Sequence, residues 1–398
     1  MRNTAFALCW CFVFVVPWEN VVQLPVLGSL PHLVGMVAFV VGVLHILARG
    51  SVRPLSWFHV LALLFVIWAG VSGFWSIDPV ATRARLPTYV QLIVLAWLIW
   101  ELAPSPERQR ALLQAYVLGA CVAALATGYN YLSGLSFEAD AARFTALSSN
   151  PNELGVTLVL GLPMAWYLSL SQPRRRHAWL WHIYMPLGIT ATLLTASRTA
   201  FVAALVALLL VPWTLGHLRL RTKAALYALA VVSLGLARTL VPEAALERLG
   251  STRSEVATGA FGGRRVIWKA GWQVVREHPL AGVGAGAFGA AVEETLGIRR
   301  SSHSTLLSVL AEEGIIGLLL FLMMIGAVLT PLRRLPVAQR RFSIVMLTVL
   351  AVGSLSGHWD YRKQLWFVLG LLAAQGAVRA APPMIARPTL GFAARSDP

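Results

Sequence analysis

Apolar residues along the chain gather into runs long enough to cross a bilayer, and polar residues are confined to the breaks between them. A spanning helix needs ~20 mostly apolar residues. Such runs lie near 4–18, 31–48, 57–75, 87–103, 111–132, 153–171, 178–196, 199–217, 224–241, 304–330, 342–357 and 364–380, which predicts twelve spans. The first run carries Arg2 and an apolar core, as a signal peptide would. It has no small-x-small cleavage site before further apolar sequence, so it reads as a retained helix.

Two stretches break this rhythm. Residues 242–303 form a long connection of mixed polarity, and 133–152 is polar and turn-rich, with Ser148-Ser149-Asn150-Pro151-Asn152 at its end. The expected organisation is nine spans over 1–241, the large loop with short helices over 242–303, three spans over 304–381 and a Pro/Arg/Ala tail over 382–398. Long loops on a short-looped bundle tend to carry function. Within this loop, RVIWKAGWQVVRE from Arg265 to Glu277 has helical spacing, with Trp268 and Trp272 at i, i+4. That suits a helix at the membrane interface, and Pro279 stops it.

Composition narrows the class. The chain is 57% hydrophobic and 13% charged, against about 25% charged for a soluble domain. Disorder is excluded because it needs low hydrophobicity. The net charge of +16 by itself suggests a nucleic-acid binder, but 15 Trp and repeated spanning runs exclude a soluble basic domain. Sorting the charges by connection explains the excess. One alternate set, from Arg2, Arg49 and Arg53 through Arg333 and Arg341 to the tail, holds 18 basic residues and three acids, while the other holds 15 and 14. The positive-inside rule makes the first set cytoplasmic, with both termini inside and the 242–303 loop outside.

The candidate chemistry lies on the external side. Arg198, in Ser197-Arg198-Thr199, sits at a tight turn between two spans. A snorkelling arginine is the structural alternative. The functional reading is an anion site, with Thr199 as N-cap and exposed N–H groups beside it. In Gly262-Gly263-Arg264-Arg265, two arginines open a helix. A helix N-terminus favours anions, so cations there call for a bound anion such as phosphate, or a partner carboxylate such as Glu255.

The glycine run 282–289 matches GxGxxG at Gly284, Gly286 and Gly289, but a helix precedes it and no strand does. The dinucleotide reading fails, and a flexible loop packed against a membrane-embedded helix is expected instead. His303 stands at the external mouth of the tenth span, where a neutral imidazole can take a proton from a hydroxyl. Glu312 and Glu313 lie in the apolar run behind it, where acids are costly and usually paired. One of them is expected to balance a loop arginine or to orient the histidine.

No metal is expected. Cys9, Cys11 and Cys121 lie in apolar runs, and His358 with Asp360 makes only two ligands. There is no Walker lysine motif and no DxD pair. His177, His182 and His217 read as structural.

From about 135 to 330 the chain resembles the bacterial O-antigen ligases and the related O-antigen polymerases and protein O-oligosaccharyltransferases. The residues that carry the resemblance are Asn150-Pro151-Asn152-Glu153-Leu154-Gly155, Ser197-Arg198-Thr199, GGRRVIWKAGWQVVREHPLAGVGAGAFG from Gly262 to Gly289, and HSTLLSVLAEEGIIG from His303 to Gly317. Ser304 stands where the family often has Asn.

The resemblance implies an all-α, GT-C-like polytopic membrane fold in the Gram-negative inner membrane, with the site periplasmic. It implies an inverting, metal-independent and cofactor-free glycosyltransferase that acts on membrane lipids and not on nucleic acid. The donor would be a glycan on undecaprenyl pyrophosphate and the acceptor lipid A–core oligosaccharide. Arg198, Arg264 and Arg265 would hold the pyrophosphate, and His303 would act as general base. The family's arginine four residues before the tryptophan selects Arg264. Asn152, Arg143, Trp268 and Glu313 are the further substrate contacts expected.

Chain length and one loop of modest size look most like the ligase among the three roles. A lipid-linked oligosaccharide transporter is the rival of another class. It would need polar residues through both leaflets, whereas the candidate residues cluster on one side.

Overall fold

The computed structural model describes residues 2–19, 23–24, 28–137, 143–146, 149–171, 178–214, 220–221, 223–224, 227–228, 231–232, 235, 239, 241–251 and 263–378. Gly262, Glu255, Ser148, His177, His217, the tail 382–398 and much of the ninth expected span, 224–241, lie outside these residues.

The described chain is helical almost throughout. Helices α1 (Arg2–Val15), α2 (Leu30–Arg49), α3 (Trp57–Val71), α4 (Pro79–Leu102), α5 (Pro106–Leu132), α6 (Pro151–Ser171), α7 (Ala178–Leu194) and α8 (Arg198–Leu210) precede the large loop. The loop contributes α9 (Glu243–Gly250), α10 (Arg264–Glu277) and α11 (Phe288–Leu296). Then come α12 (Thr305–Leu332), α13 (Val337–Ser354) and α14 (Lys363–Val378). A two-residue antiparallel pair, Gln23↔Ser29 and Leu24↔Gly28, joins α1 to α2 and had no signal in the sequence pattern.

Among the described residues, six helical segments are long and apolar enough to cross a membrane: Leu30–Arg49, Trp57–Phe74, Pro106–Leu132, Pro151–Ser171, Thr305–Leu332 and Val337–Ser354. The protein is therefore an α-helical polytopic membrane protein. Apart from the ninth, which lies largely outside the described residues, the remaining expected spans correspond to shorter helices or, in α4, to one with Arg83 and Arg85 near its start. Helix α4 begins eight residues earlier than its apolar run. Asp78 caps it by accepting from the Ala81 N–H at 3.0 Å, and Pro79 supplies a preset first turn.

The helices share one large apolar core, with Tyr89, Tyr116, Tyr184, Trp359 and Trp366 among its fully buried side chains. The large loop has a smaller core of its own. Ala270, Val274 and Val275 of α10 meet Val283, Phe288 and Val292, and all of them rest on Leu307 and Ala311 of α12. The loop is thereby docked onto the first turns of α12.

The tenth span was expected to be continuous, but the structure breaks it. Gly314 has φ 67° and ψ −169° in the middle of α12. The glycine-rich loop enters the break. Val283 N–H donates to the Ala311 carbonyl (3.0 Å), Gly284 N–H to the Glu312 carbonyl (2.8 Å), Ile315 N–H to the Pro279 carbonyl (2.9 Å) and the Trp68 indole to the Glu313 carbonyl (2.9 Å). Non-helical backbone at membrane depth is tolerated only where protein satisfies it in this way. Only glycine fits at 314, because φ is positive and a Cβ would meet the Leu280 carbonyl. The expected packing of the loop against an embedded helix is present. Its expected flexibility is not, since Ala285 N–H also bonds Ser72 Oγ (3.0 Å) and Gly286 N–H bonds Glu312 Oε2 (2.6 Å).

Candidate functional site

A cavity of about 790 Å³ opens where α8, α10, α12 and α13 converge. Its lining combines two kinds of side chain. Val202, Leu306, Leu307, Leu310, Leu318, Val352 and Leu355 are apolar. Asn152, Arg198, Thr199, Arg248, Arg264, Ser304 and Ser356 are polar or charged, and Trp268 and Trp272 complete the wall.

Helix α8 starts at Arg198 because Ser197 caps it, its Oγ accepting from the Ala200 N–H at 3.3 Å. The cap is thus Ser197 and not Thr199. The Thr199 hydroxyl instead pairs with Ser356 of the α13–α14 connection. Arg198 reaches toward α9, with Nε donating to the Arg248 carbonyl (3.0 Å) and Nη2 to Ser251 Oγ (2.9 Å). Arg248 was not singled out in the sequence, because it lies in a short amphipathic helix with no motif around it.

Helix α10 opens at Arg264 behind Gly263, whose φ of 80° is left-handed. Arg264 is half-buried and lines the cavity, whereas Arg265 is exposed and is not among the lining residues. The structure therefore separates two adjacent arginines that the sequence left together. Trp268, one turn on, donates its indole N–H to the Ser302 carbonyl at 2.9 Å and so ties α10 to the segment that carries His303.

His303 directly precedes the lining residue Ser304 and is half-buried. Its φ is 49°, and Ala196, two residues before Arg198, has φ 47°. These are the two non-glycine positive-φ residues among those described, and both flank candidate site residues. Left-handed backbone outside glycine costs about 1–2 kcal/mol and concentrates at functional sites. Burial, then the Arg264 cation, then Arg300 hold the His303 imidazole below its usual pKa. A neutral ring capable of accepting a proton is the consequence.

The residues behind His303 were largely illegible in the sequence. His358, in the α13–α14 connection, accepts the His303 backbone N–H on Nε2 at 2.9 Å. Ser302 Oγ lies 3.1 Å from the same nitrogen, and Ser308 Oγ lies 3.4 Å from Nδ1. Ser308 donates to Glu312 Oε1 at 3.3 Å. Behind these, Tyr89 donates to Asp360 Oδ2 at 2.8 Å, Arg85 approaches Asp360 at 3.8 Å, and its guanidinium lies 3.7 Å above the Tyr361 ring. His358 and Asp360, weighed in the sequence only as metal ligands, thus belong to a hydrogen-bonded network. Among the described residues no group of three or more His, Cys, Asp or Glu side chains is arranged to hold a metal.

Two of the expected substrate contacts, Glu313 and Arg143, stand elsewhere. Glu313 is fully buried, with its Oε1 3.4 Å from the Tyr89 hydroxyl, and is not among the lining residues. Among the described residues neither Glu312 nor Glu313 meets a loop arginine; the arginine that shares their network is Arg85 of α4. Arg143 is buried and donates to the Thr195 carbonyl and to Asn152, both at 3.1 Å, which braces the turn before α8. Asn152 does line the cavity.

Residues 183–322, from within α7 to within α12, match the family model described as O-antigen ligase. The match spans Arg198, Arg264, Trp268 and His303. No curated protein matches the chain.

Proposed function

We propose that this protein, whose residues 183–322 match the O-antigen ligase family model, transfers a glycan from undecaprenyl pyrophosphate to lipid A–core oligosaccharide, at the periplasmic face of the inner membrane. The observation that carries this reading is the mixed lining of the cavity. Three arginines, Arg198, Arg248 and Arg264, share one cavity with Leu306, Leu307, Leu310, Leu318, Val352 and Leu355. That is the chemistry of a pyrophosphate joined to an isoprenoid chain: guanidinium groups suit phosphate oxygens, and the apolar wall suits the lipid.

His303 is the general base. It takes the acceptor hydroxyl proton as that oxygen bonds the anomeric carbon from the face opposite the leaving group. The bond from the anomeric carbon to the pyrophosphate oxygen breaks, its electron pair leaves with the pyrophosphate, and the configuration inverts. The arginines stabilise the charge that develops there. No metal or cofactor takes part. The positive-inside distribution of arginines supports a topology with both termini in the cytoplasm and the large loop outside.

A polymerase would use the same donor chemistry with a second lipid-linked glycan as acceptor. A transporter would need polar groups along both halves of the bundle, whereas the cavity's arginines sit at helix starts, Arg198 and Arg264, or in the large loop, Arg248.

The test is transfer by purified protein from undecaprenyl-pyrophosphate glycan to lipid A–core oligosaccharide. Product on the core is expected. Growth of the donor glycan without core product would assign polymerase activity, and no transfer with movement of donor across a vesicle membrane would assign transport.

A further inference from the structure

His303 is held by its backbone. Its N–H is given to His358 Nε2 at 2.9 Å, while its φ of 49° sets the direction of the side chain. A ring nitrogen can accept that bond only if the imidazole is neutral and its proton sits on Nδ1. The surroundings impose both conditions. His358 is 8% exposed, and burial, then the charges of His303, Arg85 and Arg362, push its pKa down to about 3. On the other side, Nδ1 faces Ser308 Oγ at 3.4 Å, whose own proton goes to Glu312 Oε1 at 3.3 Å. The Ser308 oxygen is therefore left to accept from Nδ1.

Glu312 is fixed in turn by the Gly286 N–H at 2.6 Å. The connection that carries His358 is pinned as well: Thr305 Oγ1 donates to the Gly357 carbonyl (2.8 Å) and accepts from the Trp359 N–H (3.0 Å). A continuous chain of hydrogen bonds thus runs from the glycine loop through Glu312, Ser308 and His358 to the main chain of His303.

The geometry points to His358 as a positioning residue, which holds His303 in its left-handed conformation and so aims the base at the acceptor hydroxyl. It acts through His303 and touches no substrate. The proposal rests on the reading of His303 as the general base. In that role a displacement of about 1 Å costs on the order of 10²-fold in rate while leaving donor binding intact.

The experiment measures kcat and donor KM for four variants purified in detergent, each checked by gel filtration and thermal melting. His358→Leu, which has no acceptor, is expected to lose ~10² in kcat with donor KM unchanged. In His358→Gln the side-chain carbonyl can accept the His303 N–H, and most of the loss is expected to be recovered. Ser308→Ala sits in a helix that alanine favours, so it keeps the test alive if His358→Leu does not fold. It frees the His358 tautomer and is expected to lower kcat ~5-fold, the equivalent of one hydrogen bond. His303→Ala serves as the reference. If it is inactive while His358→Leu and Ser308→Ala turn over at the wild-type rate, the positioning role is overturned. If His303→Ala is itself active, the general-base reading falls instead. Equal loss in His358→Leu and His358→Gln would mean that the acceptor atom is not what matters, and would also overturn the role.

Discussion

Arg143 and Asn152 are joined by a hydrogen bond of 3.1 Å from Nη2 to Oδ1, and the same oxygen accepts from Ser197 Oγ at 2.9 Å. Two donors on one atom fix the amide orientation of Asn152 at the cavity wall and link the 133–152 stretch to the start of α8. Asn152→Asp keeps the acceptor and adds a charge opposite Arg143, so thermal stability in detergent is expected to be retained. Asn152→Leu removes an acceptor from both Arg143 and Ser197 and is expected to cost about 1–3 kcal/mol, read as a lower Tm. Equal Tm values for the two variants would contradict this bracing role.

Adjacent arginines should behave differently. Arg264 lines the cavity and Arg265 is exposed. Arg264→Ala is expected to cut transfer by about 10²–10³, the usual effect of losing one electrostatic contact to a developing charge. Arg265→Ala is expected to stay within about 2-fold, as surface changes do. Comparable losses in steady-state rate would place both on the pyrophosphate.

The acid limb of the pH–rate profile reports the base. Burial, Arg264 and Arg300 hold His303 below its usual pKa, so it stays neutral at lower pH than a free histidine. Arg300 is exposed, and it lies outside the cavity lining. Arg300→Gln removes one depressing cation, so the His303 pKa rises and the acid limb of kcat/KM moves to higher pH. A limb that stays put or moves the other way would show that another group titrates there.

Helix α12 depends on one glycine. Gly314→Ala must adopt φ 67° and push a Cβ into the Leu280 carbonyl, whereas Gly297→Ala has φ 70° but open space. The second change carries only the conformational cost, about 1–2 kcal/mol; the first is expected to lower Tm further and to reduce folded yield. Equal Tm losses would show that the loop yields easily at the break.

The class of fold was legible because spanning runs are long and self-declaring, and the arginine turn and the arginine-led helix were legible because cations at those places need a physical reason. His303 was legible from its position at a span mouth. His358 was visible but was weighed only as a metal ligand and set aside. Its partner is a backbone N–H contributed 55 residues earlier, and a single sequence holds no periodicity that links the two.

The break at Gly314 was hidden for a related reason. Residues 305–332 are apolar apart from a few polar side chains, Glu312 and Glu313 among them, which do not by themselves end a helix, and the interruption comes from a loop that wedges into it. Arg143 and Glu313 were expected as substrate contacts from the family resemblance. In the structure each meets other parts of the protein.

The wedge also sets an order of assembly. When α12 first enters the bilayer, the carbonyls of Ala311 and Glu312 and the N–H of Ile315 lack the partners that residues 279–284 later supply. The half-helix bearing the cavity rim can therefore settle only after residues 279–284 fold back onto it, and the cavity mouth is among the last parts of the molecule to be finished.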